Sequence, residues 1–394
     1  MPGPFIEAPN GPNGQNGYGA PSALRLQVPA KVNLLLCVGP RRDDGYHEVA
    51  SLMQAISLFD EVRLSEGPGP RPSLPSPTAG PLPPAWTDPA SGSTLTVATG
   101  GAGTTVGTGA VASVGSVPAG PENLVWRATV ALAERTGRLR GGKLARPVDI
   151  EIIKSIPAGG GLGGGSADAA ATLVGLNLLW RLGLPAEALI ELGGELGSDV
   201  PFFIYGGTAL AAGRGERVLP LPAVAGWLVL ANSGIVVSTP QVYRTLDEDR
   251  ATKMAGIEKA GGGSWSLAAR DATAWLSLRA AEPARLLGEL PLLGKNDLEA
   301  PARRLEPALG NTGAAMRDAG LTPHLSGSGG TFWAPAASEG EARAAATALA
   351  ACGLWSRAVE AVPFGVRPAD PAGPARQRPP GAEVQDSRGA GRSN

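Results

Sequence analysis

The stretch PAGGGLGGGSADAA, from Pro157 to Ala170, carries glycine at six of the seven positions between Gly159 and Gly165. Without side chains a backbone can approach a ligand closely, and a helix that starts just beyond aims unpaired N–H groups at an anion. A strand-like run, PVDIEIIKSIP, precedes the glycines, and a helix-like run, SADAAATLVGLNLLWRLG, follows them. The pattern predicts a phosphate cradle running from Pro157 and Ala158 through Gly159, Gly160, Gly161, Leu162, Gly163, Gly164 and Gly165 to Ser166 and Ala167. A flexible linker is the plainest alternative, but Leu162 and the sharp helix start argue against low complexity. Gly159, Gly161 and Gly164 also match the dinucleotide fingerprint, although the extra glycines and the strands before them fit poorly with the first turn of a nicotinamide domain. The P-loop pattern is absent: its nearest echo, GELPLLGKN at Gly288, has the wrong spacing and Asn296 where Ser or Thr is needed. A nucleoside triphosphate held without a P-loop is the better reading.

Phosphoryl transfer to an alcohol needs a carboxylate to accept the hydroxyl proton and a cation to offset developing charge. In LGSDVPFFIYGG, Asp199 follows a helix-stopping glycine and precedes a predicted strand. A turn or cap aspartate would look the same. Lys31, in VPAKVNLLLCVG, lies between strand-like segments, with Asn33 alternating onto the same side; a strand lysine is ordinarily solvent-facing. Tyr46 and His47 follow the turn-forming Asp44-Gly45 pair, and they could stack on a base and hydrogen-bond its edge. An isolated turn histidine often does neither. Ser326 and Gly327, in LSGSGGTFWA, could bond nucleotide or substrate, or simply turn a hairpin. Asn123 reads as a helix N-cap.

These groups need a scaffold. ALRLQVPAKVNLLLCVG predicts two strands interrupted by Pro29, ISLFDEVRLSE another strand, and NLVWRATVALAERTG a helix. The helix after the glycine loop is expected to open on Ser166 as N-cap and to close at Gly183. WLVLANSG begins a second group of elements, with helices in AATAWLSLRAAEPARLLGEL, LEAPARRLEPAL and ASEGEARAAATALAACG, and SRAVEAVPF forms a last strand. This order, neither strictly alternating nor segregated, predicts α+β domains. With 57 Gly and 37 Pro among 394 residues, part of the chain buries little. The stretch to residue 22, the block at about 67–118 and the tail from 365 to 394 are expected to be disordered. A balance of 34 basic against 35 acidic residues argues against nucleic acid as a partner. No apolar run approaches the roughly 20 residues of a membrane span, and no leader is evident. Two distant cysteines fit a reducing cytoplasm.

The glycine loop, the PAK.NL segment followed by DGYH, the LGxDVPxF segment and the SGSGG turn occur together in the order found in GHMP kinases, and the chain resembles that family from about Ala23 to Phe364. Within it, DGYH and GGGLGGGS resemble the branch that acts on a cytidine-diphosphate-linked alcohol. The resemblance implies a two-domain α+β GHMP kinase fold with the active site in the interdomain cleft. The ATP-binding domain would span 23–222, with an insertion at about 67–118, and the second domain 223–364. It implies ATP with Mg2+, Lys31 and Asp199 as the catalytic pair, and substrate contacts from Asn33, Tyr46, His47, Ser326 and Gly327. Asn123 would lie near the adenine, and Ser166 is placed to approach the metal, whose other ligands stay open. The implied reaction carries the γ-phosphoryl group of ATP to the 2-hydroxyl of 4-diphosphocytidyl-2-C-methyl-D-erythritol, a step of non-mevalonate isoprenoid precursor synthesis. Another GHMP kinase, acting on homoserine, mevalonate or a sugar, and a non-catalytic nucleotide-binding protein are the alternatives.

Overall fold

A computed structural model describes residues 23–67, 85–99, 117–257 and 294–369. Two long antiparallel strands, β1 (Ala23–Arg41) and β2 (His47–Glu66), form its backbone. They are joined at a turn where Gly45 takes a φ of +84°. Pro29 does not divide β1 as the sequence suggests. The ladder shifts register between Pro29 and Ala30 instead, and such a bulge accommodates a residue with no N–H to donate.

β2 is long enough to serve two further neighbours on the side away from β1. Its C-terminal half pairs with β7 (Val148–Lys154) and its N-terminal half with β8 (Thr208–Gly213). β3 (Ala85–Thr87) and β4 (Thr94–Thr99) extend the sheet beyond β7, with β4 parallel to it. β9 (Arg217–Leu221) continues it beyond β8. A small separate hairpin is made by β5 (Leu139–Arg140) and β6 (Lys143–Leu144).

Over β1 and β2 of the large sheet lies α2 (Gly164–Leu179), and around it pack α1 (Leu124–Arg135), α3 (Ala186–Leu196) and α4 (Val200–Tyr205). At Gly175 a Cβ would come within 2.3 Å of Leu64 and 2.6 Å of Leu26, so this helix rests directly on the strands.

The second sheet is antiparallel in the order β11 (His324–Leu325), β12 (Thr331–Ala336), β10 (Trp227–Asn232) and β13 (Trp355–Glu360). Around it stand α5 (Thr239–Ile257), α6 (Glu299–Leu305), α7 (Leu309–Asp318) and α8 (Glu339–Ala351). The two cores interlock. Leu36, Val38 and Val49 from the far ends of β1 and β2 pack with Phe332, Leu309 and Met316, while Leu228, Leu230 and Trp333 join the first core. The whole is an α+β fold.

Three local expectations change, and one helix is new. Of the block at 67–118, Ala85–Thr87 and Thr94–Thr99 are strands, because Leu95 and Val97 bury themselves against β7 and its neighbours; residues 68–84 and 100–116 lie outside the described residues. β13 is not the last strand, since β14 (Arg367–Pro368) returns to the free edge of β1 within the stretch read as a tail. The residues after Asp199 form the short helix α4 rather than a strand, its four apolar side chains after Pro201 buried except at Tyr205. α5 carries too weak an apolar periodicity to be seen in the sequence. The helix expected in AATAWLSLRAAEPARLLGEL, residues 1–22 and residues 370–394 lie outside the described residues.

The returning segment clamps the end of α4. Gly206, with a φ of +70°, sits so close to Phe364 and Gly365 that a Cβ would fall 1.8 Å from the Gly365 nitrogen. Val366 N–H donates to the Phe203 carbonyl at 3.2 Å. Replacing Gly206 by Ala is expected to cost about 2–4 kcal/mol, read as a lower urea midpoint at unchanged slope.

Candidate active site

The glycine loop is wedged between the two sheets. Gly159, Gly161 and Gly163 all take φ between +70° and +76°, which strains any residue with a Cβ. On one side, Lys31 N–H from β1 donates to the Leu162 carbonyl at 3.1 Å. On the other, Thr331 N–H of β12 donates to the Gly160 carbonyl at 3.1 Å and the Ser326 hydroxyl to the Gly161 carbonyl at 3.0 Å. A Cβ on Gly161 would lie 2.1 Å from the Ser326 carbonyl oxygen, and one on Gly160 2.9 Å from the Thr331 hydroxyl. Pro157 and Leu162 are buried and Ala158 half-buried, so the loop is fastened by its flanks.

The loop delivers the chain into α2 at Gly163, which caps the helix with its own left-handed backbone. Ser166, expected to be the cap, lies inside the first turn, and with Gly164, Gly165 and Ala167 it belongs to the helix start. Its hydroxyl sits 3.9 Å from the Cβ position of Gly197, beside the turn that carries Asp199. That turn leads into α4, whose Phe203 ring reaches under Gly163; a Cβ there would stand 2.6 Å from the ring and 3.3 Å from Lys31 Cε. The missing side chain at Gly163 is what lets α4 and β1 close around the loop.

Where they close, the charges meet. Lys31 is only 4% exposed, and its Nζ donates to Asn33 Oδ1 at 2.6 Å and lies 3.5 Å from Asp199 Oδ2. The Asp199 carboxylate keeps 32% of its side-chain surface open. A buried ammonium thus stands beside a half-open carboxylate that a ligand can reach. Asn33 is fixed in turn, since its Nδ2 donates to the Ser51 hydroxyl at 2.7 Å and its carbonyl accepts from Trp333 Nε1 at 3.1 Å. Gly327 completes the enclosure: its Cβ position is 3.4 Å from Asn33 Oδ1 and 3.6 Å from Lys31 Nζ. Asn296 Nδ2 holds this turn through the Leu325 and Gly327 carbonyls at 3.0 and 2.7 Å.

Lys31, Asn33, Asp199, Ser326 and Gly327 therefore converge with the glycine loop on one seam. The Tyr46–His47 pair divides. Tyr46 is 55% exposed, with the Arg214 guanidinium 5.1 Å over its ring, whereas His47 is buried at the start of β2. His47 Nε2 lies 2.8 Å from Asp247 Oδ1, and its ring stacks on Tyr243 at 5.1 Å. Tyr243 and Asp247 come from α5, and sequence reading missed both. Burial, and then the negative charge of Asp199, push the Tyr243 phenol up to about 12, so the phenol stays neutral. One signal was available: Tyr243 and Asp247 stand four apart, on one helix face. Asn123 caps α1, accepting from Val125 N–H at 2.9 Å and donating to the Pro118 carbonyl at 2.6 Å.

Residues 123–207, which hold the glycine loop and Asp199, match the GHMP kinases N terminal domain. The chain is 40% identical over 329 residues to a 4-diphosphocytidyl-2-C-methyl-D-erythritol kinase of Kineococcus radiotolerans, covering 82% of this chain and 84% of that one. It is 40% identical over 338 residues to the enzyme of the same name from Nocardia farcinica, covering 85% and 92%. A solved 4-(cytidine 5'-diphospho)-2C-methyl-D-erythritol kinase superposes with a TM-score of 0.56 at 33% identity, over 86% of this chain and all of the other. The homoserine kinase of Cytophaga hutchinsonii, at a TM-score of 0.58 and 19% identity over 90% of this chain and 99% of its own, shares the fold. With a Lys–Asp pair set against a glycine-rich cradle and relatives this similar along nearly their whole length, the chain belongs to the GHMP kinases, in the family of 4-diphosphocytidyl-2-C-methyl-D-erythritol kinases.

Proposed function

We propose that this chain transfers the γ-phosphoryl group of ATP to the 2-hydroxyl of 4-diphosphocytidyl-2-C-methyl-D-erythritol, with Asp199 as proton acceptor and Lys31 as electrostatic partner. The observation that carries this reading is the 3.5 Å Lys31–Asp199 pair beside the glycine loop. As the alcohol oxygen bonds to the γ-phosphorus, the bond to the β-phosphate oxygen breaks, ADP departs, and the hydroxyl proton passes to the Asp199 carboxylate. Lys31, held by Asn33, stabilises charge on the oxygen and the transferring group without having to reorganise. The backbone from Gly159 to Ala167 and the α2 N-terminus receive the triphosphate.

His47 and Tyr243 form the aromatic wall suited to the cytosine, and Tyr46 provides a further ring at its rim. Asn123 contributes to the adenine end indirectly, by fixing the start of α1. Among the described residues no group of three or more His, Cys, Asp or Glu side chains is placed to hold a metal ion. Ser166, in the first turn of α2 beside the turn that carries Asp199, is the hydroxyl that would help hold a Mg2+ brought with the nucleotide, and such an ion would shield the phosphate charge. Cys37 and Cys352 are both free, in keeping with a reducing cytoplasm, and no described helix is long and apolar enough to cross a membrane.

Assayed with Mg-ATP and the cytidyl alcohol, Asp199→Asn is expected to lower kcat by about a thousandfold with little change in either KM. Undiminished turnover in that variant would remove Asp199 from the chemistry, and phosphorylation of homoserine or mevalonate in preference to the cytidyl alcohol would refute the substrate. Gly161→Ala, which drives a methyl into the Ser326 carbonyl, is expected to raise KM for ATP by more than about tenfold. An unchanged KM would show that the triphosphate does not use this loop.

A further inference from the structure

Directly beneath the glycine loop lies a charged cluster that the phosphoryl transfer does not use. Lys154, the last residue of β7, is 2% exposed, and its Nζ sits between Asp60 of β2 and Asp168 of α2, which are 0% and 2% exposed. It bonds Asp168 Oδ2 at 2.6 Å and also Asp60 Oδ2. The other oxygen of Asp60 accepts from the N–H groups of Ser155 and Ile156 at 2.6 and 2.9 Å. Those two residues are where the chain leaves the sheet for the loop, and Asp168 is where it has settled into the helix. Lys154 Nζ also lies only 3.1 Å from the Cβ position of Gly164, the first residue of α2.

Burying two carboxylates with one ammonium is not a source of net stability, because the desolvation of three charges rivals their attraction. Apolar side chains of similar volume would fill the space as well. What such a cluster does impose is distance, since the ammonium must keep both carboxylates in hydrogen-bond contact or leave one buried and unpaired. Here one carboxylate, from β2, holds the backbone that enters the loop, and the other stands on the helix that leaves it.

We infer that Lys154, Asp60 and Asp168 are positioning residues for the nucleotide, tying the strand that enters the glycine loop to the helix that leaves it and so setting the span that receives the triphosphate. The inference rests on that loop holding the nucleotide. Against the cost of burial, the Asp168 and Asp60 carboxylates hold the Lys154 ammonium charged well above its ordinary range, while burial, resisted by Lys154, and the Asp60 charge push the Asp168 carboxyl up. Asp168 Oδ1 is fully enclosed with no hydrogen-bond partner, so this side chain is held through its other oxygen, which faces Lys154.

The test compares Asp168→Asn and Lys154→Met with Leu349→Ala, a cavity variant in the second core, using thermal unfolding, ADP titration calorimetry and steady-state kinetics in both substrates. Asp168→Asn preserves shape and weakens the tie. It is expected to raise KM for ATP and the ADP dissociation constant about tenfold in parallel, with KM for the alcohol within about twofold of wild type. Leu349→Ala is expected to lower the unfolding temperature and leave both nucleotide constants unchanged. Should Lys154→Met not fold, Asp168→Asn decides alone. Nucleotide constants unmoved in Asp168→Asn, or moved equally for both substrates, or moved as much by Leu349→Ala, would overturn the inference. Wild-type protein that failed to bind ADP would instead overturn the nucleotide reading on which it rests, a result separable from the others because it needs no variant.

Discussion

A triphosphate can be bound through backbone N–H groups only where main chain comes unobstructed to the ligand, and the structure depends on keeping one loop in that condition. The loop is pressed from both sides. Strand β1 holds it through Leu162, and the turn between β11 and β12 holds it through Gly160 and Gly161. At each contact the space a Cβ would need is already taken by a carbonyl, a hydroxyl or the Phe203 ring. The glycines thus answer to the protein behind the loop as much as to the ligand in front of it. Because the two sheets touch through this loop, their alignment and the alignment of the Lys31–Asp199 pair are one property: Lys31 comes from β1, Asp199 from the approach to α4, and Gly327, which closes over the pair, from the turn between β11 and β12.

The parts of the site legible in the sequence are those in which local chemistry and position coincide. A glycine run between a strand and a helix announces a cradle by itself, and Lys31 and Asn33 share a strand face. Asp199 was visible as a candidate, but its neighbour was not. Nothing in LGSDVPFF says that Phe203 will slide beneath Gly163 and carry the carboxylate to within reach of β1. The cap of α2 was misplaced for a related reason: Ser166 has the right side chain for an N-cap, yet Gly163 takes the left-handed turn and the helix begins before the serine.

Long-range partners were the least legible. His47 stood out as one of two histidines, but its ring is defined by Tyr243 and Asp247, about two hundred residues later. Their helix has polar residues on most sides and gives no clear periodicity. Lys154 reads as an ordinary polar end to an apolar strand, and only the arrival of Asp60 and Asp168 from other elements makes it a buried cation. Composition misled at 85–99, where a few β-branched and apolar residues inside a Pro- and Gly-rich block suffice for a strand once an edge is offered to them.

The return of the chain to its own beginning bears on how the molecule is made. Gln27 and Arg367 are bonded although 340 positions separate them, and Arg367 also covers the rings of Phe59 and Phe364. During synthesis, the edge of β1 at Leu26 and Gln27 stays without its β14 partner until the chain has grown by 340 positions. An uncapped edge strand is a template for pairing with other chains, and contacts between such distant positions form late. The nascent polypeptide thus carries this stretch of edge uncovered after the first sheet has condensed and until β14 is translated, an interval set by the rate of translation.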